Sequence, residues 1–143
     1  PEDLEDYFQR MDYIVRPGDI ALLHTSAPTR WGREEYLMAG AGMSAAATRW
    51  LIGKGVRVMG TDGWSWDVPL PFSAKEFRET GDASVLWEAH RVGRETAYCH
   101  IEKLANLDKL PLTGFTVSCL PVKIKAASAG WCRAVAMLPD QPK

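Results

Sequence analysis

The chain has 143 residues, 46% hydrophobic and 24% charged, enough for one globular domain with a substantial core. A formal net charge of -1, without any cluster of Lys and Arg, excludes a broad electrostatic surface for nucleic acid or anionic lipid. The longest apolar run, around Ala39 to Ala47, is broken by Gly and Ser and falls short of the roughly 18 residues a membrane helix needs, so no span is expected.

In chain order, Leu4, Tyr7, Phe8 and Met11 recur at helical spacing within Glu2 to Asp12, and acidic residues crowd the front, where a helix dipole favours them. Pro17-Gly18 makes a turn, and Ile20 to Leu23 is a short apolar run that predicts a buried strand ended by His24. His24 reads as a hydrogen-bonded histidine at a sheet edge more readily than as a ligand. Ser26 to Gly42 is a long loop with one helical turn over Glu34 to Met38. At its tip Arg30 and Trp31 read as a solvated arginine and a packing tryptophan. Ser44 is the N-cap of a helix from Ala45 to about Lys54, stopped at Gly55, and a strand over Val56 to Met59 follows. Short connections between strand, helix and strand predict an α/β layer.

The stretch GTDGWSWDVPLP comes next. Asp62 and Asp67, with Ser65 between them, either orient ligands beside walls made by Trp64 and Trp66 or stabilise a turn through Asx-type bonds. Phe72 to Asp82 is polar and partly helical. A short helix begun by Asp82 or Ser84 carries Val85, Leu86, Trp87 and Ala89 toward the core, with His90 at its end. Thr96 to Leu104 is a helix or strand, and Asn106 to Pro111 a turn. Phe115, Val117 and Cys119 then alternate with polar residues, and the phase slips at Pro121 so that Val122, Ile124 and Ala126 alternate instead, which predicts a bend there. Ser128-Ala129-Gly130 connects to a last strand over Trp131 to Leu138. Cys99, Cys119 and Cys132 contain no CxxC pair and sit among apolar neighbours, as reduced, buried thiols of a cytoplasmic protein would.

Within AHRVGRETAYCHIEKL, His90 and Glu102 stand twelve positions apart and can meet in space. An imidazole with a carboxylate suits zinc or manganese, but a catalytic centre usually takes three or more protein ligands. If Tyr98 to Lys103 is extended, His100 shares a face with Glu102 by the period of two, and residue spacing alone leaves the choice between His90 and His100 open.

Taken together, GTDGWSWD, AHRVGRETAYCHIEKLANLDKLP, GFTVSCLPVKIKAASAGW and RAVAML strongly resemble the C-terminal half of the cyclase family of metal-dependent hydrolases. Kynurenine formamidases, isatin hydrolases and trans-dienelactone hydrolases belong to that group. The resemblance runs from about Asp19 to Leu138. It implies an α/β fold of the swivelling β/β/α type, a mixed sheet with flanking helices, assembled as a homo-oligomer. It also implies a zinc or manganese ion, with His90 and Glu102 at the family's late ligand positions and His100 at none.

The family's first ligands lie in a motif of the form His-x-Gly-Thr-His-x-Asp-x-Pro-x-His, which also supplies the histidine for proton transfer. No such motif occurs here, so residues 1–143 are expected to be a single domain, the C-terminal part of a longer chain whose upstream half completes the site. The implied chemistry is attack of a metal-activated water on a cyclic ester, cyclic amide or formamide. Trp64, Trp66 and Trp131 are candidates to wall the small-molecule substrate. The Trp-rich loop brings the chain closer to the hydrolases of cyclic esters and amides than to the formamidases. The competing reading is a non-catalytic module that keeps the fold and binds a ligand or protein.

Overall fold

The computed structural model describes residues 1–139, which divide into two compact units, Pro1–Ala105 and a second that begins at Asn106. The first unit runs α1 (Glu2–Arg10), β1 (Ile20–Leu23), α2 (Ala45–Gly53), β2 (Val58–Thr61), α3 (Leu70–Thr80), α4 (Glu88–Val92) and β3 (Cys99–Ile101). Its three strands form a parallel sheet with β2 in the middle. No helix of the described residues is long and apolar enough to cross a membrane.

Local chemistry explains most of these elements. In α2 the Ser44 hydroxyl accepts the Ala47 N–H at 3.1 Å, satisfying one of the orphan donors of a helix start. Beyond its C-terminus Gly55 adopts φ +93°, a left-handed turn that leads the chain out toward β2. The strand begins at Val58 and includes Gly60 and Thr61, two residues later than the apolar pattern predicts. Pairing with β1 accounts for this, since Ile20 lies opposite Val58 and Leu23 opposite Thr61. Val56 is fully buried ahead of the strand.

Residues opposite one another across a ladder share a face, so Ala21, Met59 and His100 lie on one side of the sheet together. That side meets the core, where Met59 packs with Leu51 and Ile52 of α2, Ala89 and Val92 of α4, and Trp66. Leu4 and Phe8 of α1 pack against the same cluster, and the Phe8 ring stacks on Trp50 at 5.9 Å. On the opposite side, a Cβ at Gly60 would come within 2.8 Å of both Leu104 and Leu22, so the glycine is a point of close approach.

The segment before α4 departs from expectation. Ala83–Val85 form a single 3-10 turn capped by the Asp82 carboxylate, which accepts the Ser84 N–H at 2.8 Å. The helix proper starts only at Glu88, placing His90 within it rather than at its end. Trp87 takes left-handed backbone angles and is exposed, whereas the sequence pattern directs it to the core.

The second unit is an antiparallel pair, β4 (Thr116–Pro121) with β5 (Cys132–Met137), registered from Thr116 opposite Met137 to Pro121 opposite Cys132. Thus the parallel and antiparallel pairings fall in two separate sheets among the described residues, not in one mixed sheet. The ladder stops at Pro121, which has no N–H to donate. Val122 N–H still bonds the Trp131 carbonyl at 3.0 Å, but Val122 to Ala126 turn instead of continuing as a strand, with Ala126 at φ +59°. The alternation in that stretch was local and had no partner strand to satisfy its backbone. The core residues all come from the first unit, and in the second Leu120 is 81% exposed and Met137 51%. The cysteines are not buried as expected: Cys99 is exposed, Cys119 and Cys132 half-buried.

Gly42 positions the loop after β2. A Cβ there would fall 2.2 Å from the backbone of Asp67 and Val68, which no side-chain rotation relieves. Gly42→Ala is therefore expected to lower unfolding stability by about 1–3 kcal/mol, read as a shift in the urea midpoint at unchanged slope.

Candidate metal centre

The three parallel strands point their carboxyl ends to one edge of the sheet, the edge at which α/β proteins place ligand sites. His24 follows β1, Asp62 follows β2, and Glu102 follows β3. Asp62 is buried. Its carboxylate accepts the Thr25 N–H at 3.0 Å and the Thr25 hydroxyl at 2.7 Å, while its carbonyl accepts the Tyr36 hydroxyl at 2.8 Å. His24 stands 3.9 Å from that carboxylate with its ring half exposed, so Asp62 fastens the loop after β1. Burial first, then the charges of Asp62 and Glu102, push the Tyr36 phenol up.

The loop from Gly60 to Asp67 builds the centre. Thr61 Oγ1 accepts the Gly63 N–H at 3.0 Å, and the Gly63 and Thr61 carbonyls accept the Lys103 and Leu104 N–H groups at 3.0 Å, so the loop is sewn to the chain leaving β3. Trp66 N–H then donates to Glu102 Oε1 at 3.0 Å. One residue on, the Asp67 carboxylate accepts the N–H groups of Ala89 at 2.7 Å and His90 at 3.2 Å. Those are orphan donors of the first turn of α4, which has no side-chain cap of its own, so Asp67 caps the helix from a distance.

The same carboxylate also binds His90 Nδ1. Because a carboxylate only accepts, the imidazole proton sits on Nδ1 and the Nε2 lone pair is left free, the arrangement that prepares a histidine to bind a metal. Nε2 of His90 lies 3.7 Å from Glu102 Oε1, and Nε2 of His100 lies 3.4 Å from the same oxygen. One donor atom from each of His90, His100 and Glu102 falls within 4.8 Å of the others, a half-buried set that can hold a metal ion. Two imidazoles and a carboxylate are a donor set suited to zinc. The structure thus brings His90 and Glu102 together, and it adds His100, which extended geometry at β3 places on Glu102's face.

Burial alone would raise the Glu102 carboxyl. It is outweighed by the hydrogen bonds from His100 and the Trp66 N–H and by the charges of His100 and Lys103, which hold it at about 2. Lys103 takes φ +61° and sets its ammonium 2.8 Å from the Trp64 carbonyl, 3.4 Å from Glu102 and 4.8 Å over the Trp64 ring. Tyr98 supports His90 from below through its hydroxyl on the Ala89 carbonyl at 2.8 Å, and its phenol is pushed up by burial and then by Asp67 and Glu102.

The three candidate tryptophans have different placements. Trp64 is half-buried beside the donors. Trp66 is 1% exposed, a core residue whose indole N–H donates to Thr48 at 3.1 Å and whose ring stacks on His100. Its ring has no open face for a ligand, so it is not a pocket wall, and its contribution to the centre is its main-chain N–H. Trp131 belongs to the second unit and is 74% exposed. Trp87, not singled out from the sequence, meets the His90 ring edge to face at 4.7 Å. Its spacing from His90, one helical turn, was the available signal.

Fold and centre together define an α/β protein with a candidate metal site at the carboxyl ends of parallel strands. The family model described as "Putative cyclase" matches residues 1–68, which takes in GTDGWSWD and ends before His90. The solved structures that share the fold include two isatin hydrolase structures. An isatin hydrolase bound to the product analogue thioisatinate gives a TM-score of 0.78 at 22% identity, covering 96% of this chain and 52% of that one. Isatin hydrolase A from Labrenzia aggregata, bound to benzyl benzoate, gives 0.78 at 24% identity, covering 98% and 53%. The chain therefore spans about half the length of the structures it matches. A search of the curated proteins finds no match. In sequence, the cyclase-family resemblance read from the motifs is matched over residues 1–68; beyond them the likeness to the isatin hydrolases is one of fold.

Asp67→Asn is expected to weaken zinc binding roughly 10–100-fold, since the amide no longer holds the Nδ1 proton of His90 in the same way; isothermal titration measures it. Acid stability carries a separate signature. Glu102 ionises in the folded chain below its ordinary value of 4.5, so its ionisation stabilises the fold above that pH, and the contribution is lost as pH falls toward about 2. Glu102→Gln should flatten the melting temperature against pH in that window, while the parent chain loses stability across it.

Proposed function

We propose that this chain is the metal-binding C-terminal part of a hydrolase that acts on a cyclic ester, cyclic amide or formamide. The observation that carries the reading is the convergence of His90 Nε2, His100 Nε2 and Glu102 Oε1, with His90 locked by Asp67 in the tautomer a metal requires. His90 and Glu102 would hold a zinc or manganese ion, and His100 would either join them or hold Glu102 in place. When bound, such an ion supplies Lewis-acid chemistry, acidifying water and polarising a carbonyl.

The chain's own residues do the rest. Asp67 balances positive charge that builds on the His90 ring, as a carboxylate behind a liganding imidazole does. Trp66 N–H and His100 keep one oxygen of Glu102 committed, and the Lys103 charge adds to what holds the carboxyl ionised. Trp64, beside the donors, walls the small-molecule substrate. The isatin hydrolases that share the fold support a planar lactam such as isatin as a first substrate to try.

His90 and Glu102 alone are one donor short of the three a catalytic centre usually takes, so further ligands and the proton-transfer histidine are assigned to an upstream half, in the same polypeptide or a second one. In this reading residues 1–143 work as one domain of the swivelling β/β/α type, because a two-stranded ribbon is marginal alone. The apolar side chains exposed on β4 and β5 favour assembly with that half or with a second copy as a homo-oligomer.

The test is metal and turnover measured together. The chain, assembled with an upstream half, should bind about one zinc or manganese ion per subunit and hydrolyse isatin, with His90→Ala and Glu102→Ala each lowering turnover by about 10²-fold or more. Should the assembled protein carry no metal after mild purification, the non-catalytic module becomes the better account. Acidification should strip the ion, because protons compete with it for the donor atoms.

A further inference from the structure

Two imidazole nitrogens face a single carboxylate oxygen. His90 Nε2 lies 3.7 Å and His100 Nε2 3.4 Å from Glu102 Oε1. Because Asp67 keeps the His90 proton on Nδ1, the free lone pair of Nε2 is turned toward another acceptor. Two acceptors set against each other repel until a cation stands between them.

His100 is the member of this group that the family resemblance leaves without a role. Its imidazole occupies a core-side position on β3 opposite Met59, where an apolar side chain would pack without any polar group to satisfy. The ring is fixed by its neighbours, stacked on Trp66 at 6.2 Å, edge to face with His90 at 4.4 Å and tilted against Tyr98 at 5.7 Å. Steering Glu102 does not require it. The Trp66 N–H already donates to Oε1 at 3.0 Å, and the Lys103 ammonium stands 3.4 Å from Oε2. The 3.4 Å and 3.7 Å separations instead lie close to the donor-to-donor edge of a zinc tetrahedron, about 3.3 Å for metal bonds of about 2.0 Å.

We propose that His100 is the third protein ligand, so that this chain alone builds a zinc site of two histidines and one glutamate with a fourth position open. This deepens the hydrolase reading: it rests on the metal of that reading but needs no donor from an upstream half. Two nitrogens and one oxygen select zinc over manganese or magnesium, which prefer sets richer in oxygen. An upstream half then joins a site that already holds its ion.

The chain has three histidines, so each can be followed in long-range proton–nitrogen NMR spectra of this chain titrated with zinc alone. The Nε2 resonances of His90 and His100 should move together and saturate at about one equivalent of zinc, while those of His24, beside Asp62, stay in place. Calorimetry should show zinc binding about tenfold or more tighter than manganese. His100→Ala should weaken zinc about 100-fold or more, as His90→Ala does, and His100→Gln, which keeps an N–H for Glu102, should not recover it. If zinc moves the His90 resonances without those of His100, or if His100→Gln restores the affinity, His100 is a positioning residue and not a ligand, and the hydrolase reading stands on His90 and Glu102. A chain that takes up no zinc also overturns the three-ligand site, and the metal content of the protein assembled with an upstream half then decides the hydrolase reading separately.

Discussion

The carboxylate of Asp67 is the constraint on which the centre depends. It caps the first turn of a helix too short to stabilise itself, and through the same two oxygens it sets the tautomer and direction of His90. Without it, α4 would have neither an N-terminal cap nor a reason to present its histidine toward β3. The desolvation of a buried carboxylate is offset here by three donors, the situation in which a buried charge is tolerable.

Asp67 is itself placed by backbone. Met43 N–H donates to the Trp66 carbonyl at 2.8 Å, Gly42 leaves room for the Asp67 main chain, and the Trp66 ring is anchored in the core on Thr48. The loop between β2 and α3 therefore carries one candidate site residue's support on each side: the Trp66 N–H toward Glu102 and the Asp67 carboxylate toward His90. A core tryptophan and a functional loop are the same piece of chain, which couples the packing of the first unit to the geometry of the donors.

The centre has a finished inner side, with every donor braced by neutral or charged partners. Its outer side is the open edge of the donors, with the Trp87 ring against His90 and the Trp64 ring under Lys103. Lys103, placed by a left-handed backbone next to Glu102, holds these two sides in register by bonding both the loop and the carboxylate.

Much of this was legible in the residues themselves. The Ser44 cap, the strand at Ile20 to Leu23, the β4 alternation up to Pro121 and the shared face of His100 and Glu102 are properties of contiguous residues, expressed through hydrogen bonds or periods a few positions long. The pairing of His90 with Glu102 was legible only through resemblance, and Asp67 only as one of two readings. Tertiary structure alone decided that Trp66 is core and Trp87 rim, that the cysteines escape burial, and that Val122 to Ala126 turn rather than extend. It also decided that one carboxylate serves both a helix cap and an imidazole. Those outcomes depend on strand register and on which backbone donors are left unpaired after the crossovers close, and no local pattern encodes a partner more than twenty residues away.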